Sequence, residues 1–320
     1  MAILTAIDRA IMRTVIYFDL FSFPLTADEI YSSLLIKEPV RYSIFLQSLN
    51  HHLPLAQHGG FYFLPGREEL VAKRKQAYLL ADDKFKIARK NAQLLRRLPF
   101  VRAIFVANRL AYSNASDSSD IDFVIVSAPG RIWTCRFFTS LLLKILNRRP
   151  TDTDHRNKIC LSFYLEEPHL NVEKYFSKDD HHFCFWINQF FPLYDPDGFI
   201  SKVWQANRWS RHSLPHLQPM IASQCRAITA KSILQNIFEF FLTKKLEFGL
   251  KKIQLKIMPA ALTSQAGSRG ANVILKDELL KLHYHDRRQE YNELFEKRGK
   301  KLILGPTPED MAKLLTKIIL

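Results

Sequence analysis

The sequence has few glycines, few cysteines and no long apolar run, and each shortage excludes a class of protein. Ten glycines in 320 residues exclude a collagen-like or low-complexity chain. The four cysteines (Cys135, Cys160, Cys184 and Cys225) form no CxxC pair, which argues against a zinc module and favours reduced thiols. Because there is neither a run of about 18 apolar residues nor a secretory signal pattern, we expect no membrane span and a cytoplasmic location.

Acidic residues are also scarce relative to basic ones. The chain has 31 Asp and Glu against 46 Lys and Arg, which gives a formal net charge of +15. Such a balance favours polyanionic partners, either nucleotide phosphates or nucleic acid bound through a basic surface, although it also serves solubility alone. Hydrophobic residues make up 47% of the chain, which is enough to bury a sizeable core.

Residues 1–66 have the pattern of three helices followed by a hairpin. Apolar residues recur at helical spacing near the N-terminus, and Thr26 with Glu29 forms a capping box that opens a second helix. A third helix fits residues 41–51. Gly59-Gly60 lies between two short apolar runs and predicts a β-hairpin turn. We therefore predict a winged-helix-like domain.

Three further segments follow. Residues 67–98 predict a basic connecting helix, residues 99–200 an α/β segment, and residues 201–320 a mainly helical region. Its predicted helices cover residues 228–258 and 276–301. The first of these is amphipathic and basic. We expect its apolar face to pack against the preceding domain, although a helix that lies on a membrane surface would have a similar pattern.

The candidate metal-binding and catalytic residues are two aspartates at the start of a predicted strand. A strand over residues 101–107 is followed by a polar loop, and Asp120-Ile121-Asp122 then opens a second strand. Residues i and i+2 of a strand project to the same face, so the two carboxylates should point the same way, with Cα atoms roughly 6.5–7 Å apart. Two carboxylates placed in this way can share a hard divalent cation. We expect this cation to be Mg²⁺, or Mn²⁺ in place of Mg²⁺.

Residues 107–126 resemble the nucleotidyltransferase signature of the DNA polymerase β superfamily, in which a Gly-Ser turn precedes a Ser-Asp-Ile-Asp strand. More broadly, the chain resembles a family of prokaryotic nucleotidyltransferase-domain proteins of similar length. The matching segments are Tyr17–Thr26, Phe61–Glu68, Pro99–Arg102, Ser119–Asp122 and Lys158–Tyr164. The resemblance implies an α+β fold: a polymerase β-like core of mixed sheet and helices, flanked by the winged-helix-like domain and the C-terminal helical region.

The resemblance also implies a reaction and its site. Asp120 and Asp122 would bind the metal ion and the triphosphate of a nucleoside triphosphate. A nucleoside monophosphate would then pass to the hydroxyl of an acceptor that the sequence does not identify: a protein, an RNA or a small molecule. Around the phosphates we expect Asn108 and Arg109, which stand where the family has its Gly-Ser turn, and two loop serines, Ser113 and Ser119.

The chain departs from the family pattern in two places. Asn108-Arg109 replaces the Gly-Ser turn, and the strand predicted over residues 158–165 has no acid on the face that bears Cys160. The alternative is therefore a catalytically degenerate regulator that binds a nucleotide, or binds nucleic acid through its winged-helix-like domain. An exposed pair of Asp120 and Asp122 beside Arg109 would favour the enzyme hypothesis. A positively charged face on the helix over residues 40–52 would favour the regulator hypothesis. A glycosyltransferase is disfavoured because its D-x-D motif usually ends a strand.

Overall fold

The computed structural model describes residues 4–51, 53–267, 270–283 and 287–303. Its centre is a mixed six-stranded β-sheet with helices packed around it, so the fold is α+β. No helix in those parts of the chain is both long enough and apolar enough to cross a lipid bilayer.

The N-terminal segment contains the three helices and the hairpin that the sequence predicts. They are α1 (Ala6–Asp19), α2 (Ala27–Ser32), α3 (Tyr42–Leu49), β1 (Ala56–His58) and β2 (Phe61–Phe63), with β1 and β2 antiparallel. The predicted capping box is present, because Thr26 and Glu29 each accept a hydrogen bond from the other's backbone amide.

A long helix and an α/β segment follow. The elements are α4 (Glu69–Leu95), β3 (Val101–Val106), α5 (Asn108–Ala111), β4 (Ile121–Ser127), α6 (Ile132–Ile145), β5 (Ile159–Glu166), α7 (His181–Asn188), β6 (Phe191–Tyr194) and α8 (Phe199–Ala206). The remainder of the chain forms α9 (Ile233–Phe241), α10 (Lys244–Ile257), α11 (Ala260–Thr263), β7 (Val273–Leu275), β8 (Leu279–Leu282) and α12 (Arg288–Ile303).

The strands of the large sheet lie in the order β6-β3-β4-β5-β8-β7. Strands β4 and β5 are parallel and are joined through α6, while every other neighbouring pair is antiparallel. One apolar core lies on each face of this sheet. A third core joins α1–α3 to Phe185 of α7 and Phe295 of α12, so the N-terminal helices pack directly on later parts of the chain.

Two predicted helices of the C-terminal region are wrong in part. The helix predicted over residues 228–258 is interrupted between α9 and α10, where Arg131 donates hydrogen bonds to the carbonyls of Leu242 and Thr243. The helix predicted over residues 276–301 begins only at Arg288, because Leu279–Leu282 forms β8 and pairs with β5. A short, mainly apolar segment such as Leu-Leu-Lys-Leu suits a buried strand as well as a helix, and pairing with the edge of β5 decides in favour of the strand.

The expected packing of the amphipathic segment is also wrong for α9. Its apolar side chains are exposed, with Phe240 at 85% and Phe241 at 73% of full exposure. The side chains of α9 that turn toward the protein are polar, namely Gln235 and Glu239.

Candidate functional site

The two aspartates of the predicted motif meet a cysteine from the neighbouring strand. Asp120 directly precedes β4, Asp122 is its second residue, and Cys160 of β5 lies opposite Asp122 in the parallel register. One ligand atom from each of the three side chains lies within 4.8 Å of the other two. Strand pairing thus brings one thiol to two carboxylates, although Cys160 is about forty positions away along the chain.

Both carboxylates have a raised pKa in a site that is largely shielded from water. Burial, and then the charge of Asp120, raises the pKa of Asp122 to about 7. Burial also raises the pKa of Asp120 above its usual range, against the opposing effect of His155. The pKa of the Cys160 thiol is raised well above its ordinary value, first by burial and then by the two aspartates. A cation that bound here would relieve this repulsion.

A lysine from the long basic helix holds the loop that precedes Asp120. Lys84 of α4 is buried, and its ammonium group donates hydrogen bonds to the Ser119 carbonyl at 2.6 Å and to Asn157 Oδ1 at 2.9 Å. Burial lowers the pKa of Lys84. Sequence reasoning assigned this helix only a connecting role, because the spacing along α4 gives no sign of which lysine turns inward.

Asn108 links the aspartates to a tryptophan. Its backbone has φ of 56°, the left-handed conformation in which glycine or asparagine is favoured. Its side-chain oxygen accepts a hydrogen bond of 2.7 Å from the indole nitrogen of Trp186, and its side chain also hydrogen-bonds to Asp122. Asn108 is therefore in contact with the acidic cluster.

The other three predicted residues have different surroundings. Arg109 is exposed, and its Nε donates a hydrogen bond to the carbonyl of Asn114 at 3.1 Å. Its side chain also lines a cavity that opens beside Asp122. The Ser119 hydroxyl donates to the Ser116 carbonyl at 2.9 Å, which stabilises the loop. Ser113 has φ of 54° and ends the turn after α5. Neither serine lines that cavity.

A cavity of about 470 Å³ opens next to Asp122, where α1, α5, α7 and α12 converge. Aromatic rings dominate its wall, and two arginines, Arg109 and Arg287, complete it. The rings are those of Tyr17, Phe18, Phe21, Phe23, Tyr112, Trp186 and Tyr291. Aromatic faces accept a flat ring by stacking, and guanidinium groups bind phosphate. The cavity is therefore able to hold a molecule that has both features.

Several of these residues escaped the sequence analysis. The sequence gives Phe21 no role in a site, although its ring and the Tyr291 ring make an edge-to-face contact on the cavity wall, with centroids 4.9 Å apart. His283, directly after β8, has its Nε2 3.9 Å from an Asp122 oxygen. These contacts join residues more than a hundred positions apart in the chain. No local sequence pattern predicts such contacts.

The donor set at the cluster fits a divalent cation. Magnesium takes oxygen ligands at about 2.0–2.1 Å, and two carboxylates in one site supply the charge that it requires. Sulfur is a poor ligand for magnesium, whereas manganese, and still more zinc, tolerates softer partners. Asp120 and Asp122 would hold the ion, and Cys160 would border it.

Comparisons of the chain with protein-family models, with curated proteins and with solved structures found no match.

Proposed function

We propose that the protein is a nucleotidyltransferase, which transfers a nucleoside monophosphate from a nucleoside triphosphate to an acceptor hydroxyl. The observation that carries the proposal is the meeting of the Asp120 and Asp122 carboxylates beside the aromatic cavity. The polymerase β-like signature at residues 107–126 supports the same reaction.

The cavity supports a nucleotide as the substrate. Its aromatic wall offers stacking surfaces for a base, and Asp122, Arg109 and Arg287 line the same cavity. Arg287, directly before α12, is exposed and lines the cavity, and it also forms an ion pair with Glu290 at 2.6 Å.

In the proposed reaction the acceptor oxygen forms a bond to the α-phosphorus, the bond to pyrophosphate breaks, and the acceptor loses its proton. A divalent cation, when bound, stabilises the charge that develops on the phosphoryl oxygens. Asp120 and Asp122 would fix that cation, and Asn108 would orient Asp122 through their hydrogen bond. Lys84 would hold the preceding loop in place through the Ser119 carbonyl.

The first test is a thermal shift with magnesium and each of the four ribonucleoside triphosphates. A ligand that binds only the folded state raises stability by RT ln(1 + [L]/Kd), so the nucleotide-dependent rise in Tm reports binding. We expect a rise for the wild type and none for the double variant Asp120→Ala/Asp122→Ala. The matched control is Asp82→Ala/Asp83→Ala, which removes two exposed acids from α4 and should keep the rise. Equal rises in all three proteins would contradict the proposal.

Transfer itself is tested with α-labelled nucleotide and a pool of proteins, RNA and small hydroxyl compounds. We expect labelled product and released pyrophosphate with the wild type, and a loss of at least about 100-fold in rate with Asp120→Ala/Asp122→Ala, because the cation then has no carboxylate ligand. Nucleotide binding without transfer to any acceptor would favour the second candidate function.

That second candidate is a catalytically degenerate nucleotide-binding regulator, and Cys160 is the observation that favours it. A thiol lies opposite Asp122 on β5, where the resemblance leads us to expect a third carboxylate. Cys160→Asp separates the two functions: if only the missing acid prevents catalysis, this variant gains transfer activity. A nucleic-acid role has less support, because the exposed residues of α3 and its N-cap include one cation, Arg41.

A further inference from the structure

Helix α9 has its polar and apolar sides reversed relative to an ordinary surface helix, and α10 after it also exposes apolar side chains. Six large apolar side chains of α9 are at least half exposed: Ile233, Leu234, Ile237, Phe238, Phe240 and Phe241. Phe248, Ile253 and Ile257 continue this surface on α10, with exposures of 62%, 52% and 73%. Exposed large apolar side chains concentrated in this way on one segment mark a site of contact with a partner or a membrane.

Polar residues attach both helices to the protein. On α9, Glu239 forms a two-pronged ion pair with Arg102 at 2.8 and 2.9 Å and accepts the Phe100 amide, while Gln235 donates to the Val101 carbonyl. On α10, Glu247 accepts hydrogen bonds from the Trp133 and Thr134 amides at 2.8 and 2.9 Å. These buried contacts fix the rotation of each helix, and with it the outward direction of the apolar side chains.

The charge left at the surface of this pair has one sign. Both acidic residues of α9 and α10, Glu239 and Glu247, are the residues that bind inward. The exposed charged residues are Lys244, Lys245, Lys252 and Lys256. The Lys252 ammonium lies 4.3 Å from the centroid of the exposed Phe248 ring, so cation and ring share one surface.

We infer that this surface, formed by α9 and α10, docks on an anionic lipid bilayer. Exposed phenylalanines that enter the boundary between headgroups and acyl chains, with lysines beside them at headgroup level, are the two features by which a peripheral helix binds an anionic membrane. The inference is independent of the proposed nucleotidyl transfer, because no residue of α9 or α10 lines the cavity at Asp122.

The test is co-sedimentation of the full chain with vesicles of phosphatidylcholine alone and with vesicles containing 30% phosphatidylglycerol. We expect binding to the anionic vesicles, weakened in high salt, and little binding to the neutral ones. Phe240→Ser/Phe241→Ser should weaken it by about tenfold or more, as should Lys244→Glu/Lys245→Glu. The matched control is Tyr78→Ser/Leu79→Ser on α4, which removes two apolar side chains of similar exposure, 61% and 74%, and should bind like the wild type.

Circular dichroism and Tm verify that each variant is folded, as expected for exposed positions. Light scattering after size exclusion gives the oligomeric state. Absence of binding to anionic vesicles, or equal binding by the wild type and Phe240→Ser/Phe241→Ser, overturns the inference. A third result would also overturn it: the wild type is a dimer that binds no vesicles, and Phe240→Ser/Phe241→Ser dissociates that dimer. The surface would then join two copies of the chain.

Discussion

At the scale of single residues, the pair of Asp120 and Asp122 combines a candidate site with a cost to the stability of the fold. Asp122 is partly shielded from water beside a second carboxylate, and burial together with Asp120 raises its pKa to about 7. The hydrogen bonds from Asn108 and Cys160 offset only part of this effect. Buried like charges of this kind are expected at a functional site and are costly elsewhere.

This raised pKa predicts a pH-dependent loss of stability in the absence of divalent ions. An aspartate whose pKa is higher in the folded than in the unfolded state stabilises the fold most at low pH, and that contribution is lost between about pH 4 and pH 7. Asp122→Asn removes the titration of Asp122 and its repulsion by Asp120. We expect the variant to be more stable than the wild type at pH 8, by roughly 2–4 kcal/mol, and the difference to shrink toward pH 5.

Thermal or urea unfolding at both pH values, with a chelator present, measures that difference. Asp117→Asn serves as the control, because Asp117 is an exposed acid of the same loop, paired with Arg156. A stability difference for Asp122→Asn that does not change with pH would contradict the assigned cause.

At the scale of elements, α4 supports the site from a distance through Lys84. The ammonium group donates hydrogen bonds to the carbonyls of Asp117 and Ser119 and to the Asn157 side chain. We expect Lys84→Met to reduce stability by about 1–3 kcal/mol, because buried acceptors lose their donor. We also expect a weaker nucleotide-dependent rise in Tm, since Asp120 follows the released carbonyl directly.

The control for Lys84→Met is Lys86→Met, two positions along the same helix, where the lysine is exposed and pairs with Asp82 and Asp83. Unfolding in urea and the nucleotide thermal shift are measured on both variants. If Lys84→Met behaves like Lys86→Met in both measurements, Lys84 does not position the loop.

Helix α10 gives the second test at this scale, because it caps the start of α6. Glu247 accepts hydrogen bonds from two backbone amides at the N-terminus of α6, where no intrahelical partner exists for them. We expect Glu247→Ala to lower the free energy of unfolding by about 1–3 kcal/mol, as the loss of a capping group does. An equal effect from Glu38→Ala, which removes an exposed acid before α3, would refute this assignment.

The helices and strands predicted before residue 166 are present, whereas α5, α7, β6 and α8 were not predicted and the helices predicted after residue 200 are wrong in part. A capping box, a Gly-Gly turn and alternating or helical apolar spacing each act within a few residues, so they can be recognised without a fold. The strand β8 and the reversed faces of α9 depend on partners far away in the chain. Leu279 requires the edge of β5, and Glu239 requires Arg102.

At the scale of the whole molecule, the sheet connects segments that the sequence presents as separate. Strand β5 has β4 on one side and β8 on the other, so an interior strand of the sheet is completed by residues after position 270. The same residues bring Ile274 and Leu279 into the core on one face of the sheet. The α/β segment therefore depends on the C-terminal region for part of its hydrogen bonding and core.

We accordingly expect residues 99–200 not to fold when produced alone. The excised segment would expose the edge of β5 and the apolar surface that β8, α4 and α10 cover, which favours aggregation. Circular dichroism, size exclusion and thermal melting of the segment, compared with the full chain, measure this. A soluble segment with a cooperative melting transition would show that the α/β segment is independent.

The sequence by itself determined the local order of this protein: the N-terminal helices with their capping box, the hairpin at Gly59-Gly60, and an aspartate pair that opens a strand. These features depend on neighbours within a few positions, where backbone geometry alone sets which side chains meet. Tertiary structure decided what lies around the pair. It set Cys160 against Asp122, gathered the aromatic cavity from four helices and turned the phenylalanines of α9 outward, because each of these depends on contacts between residues far apart in the chain.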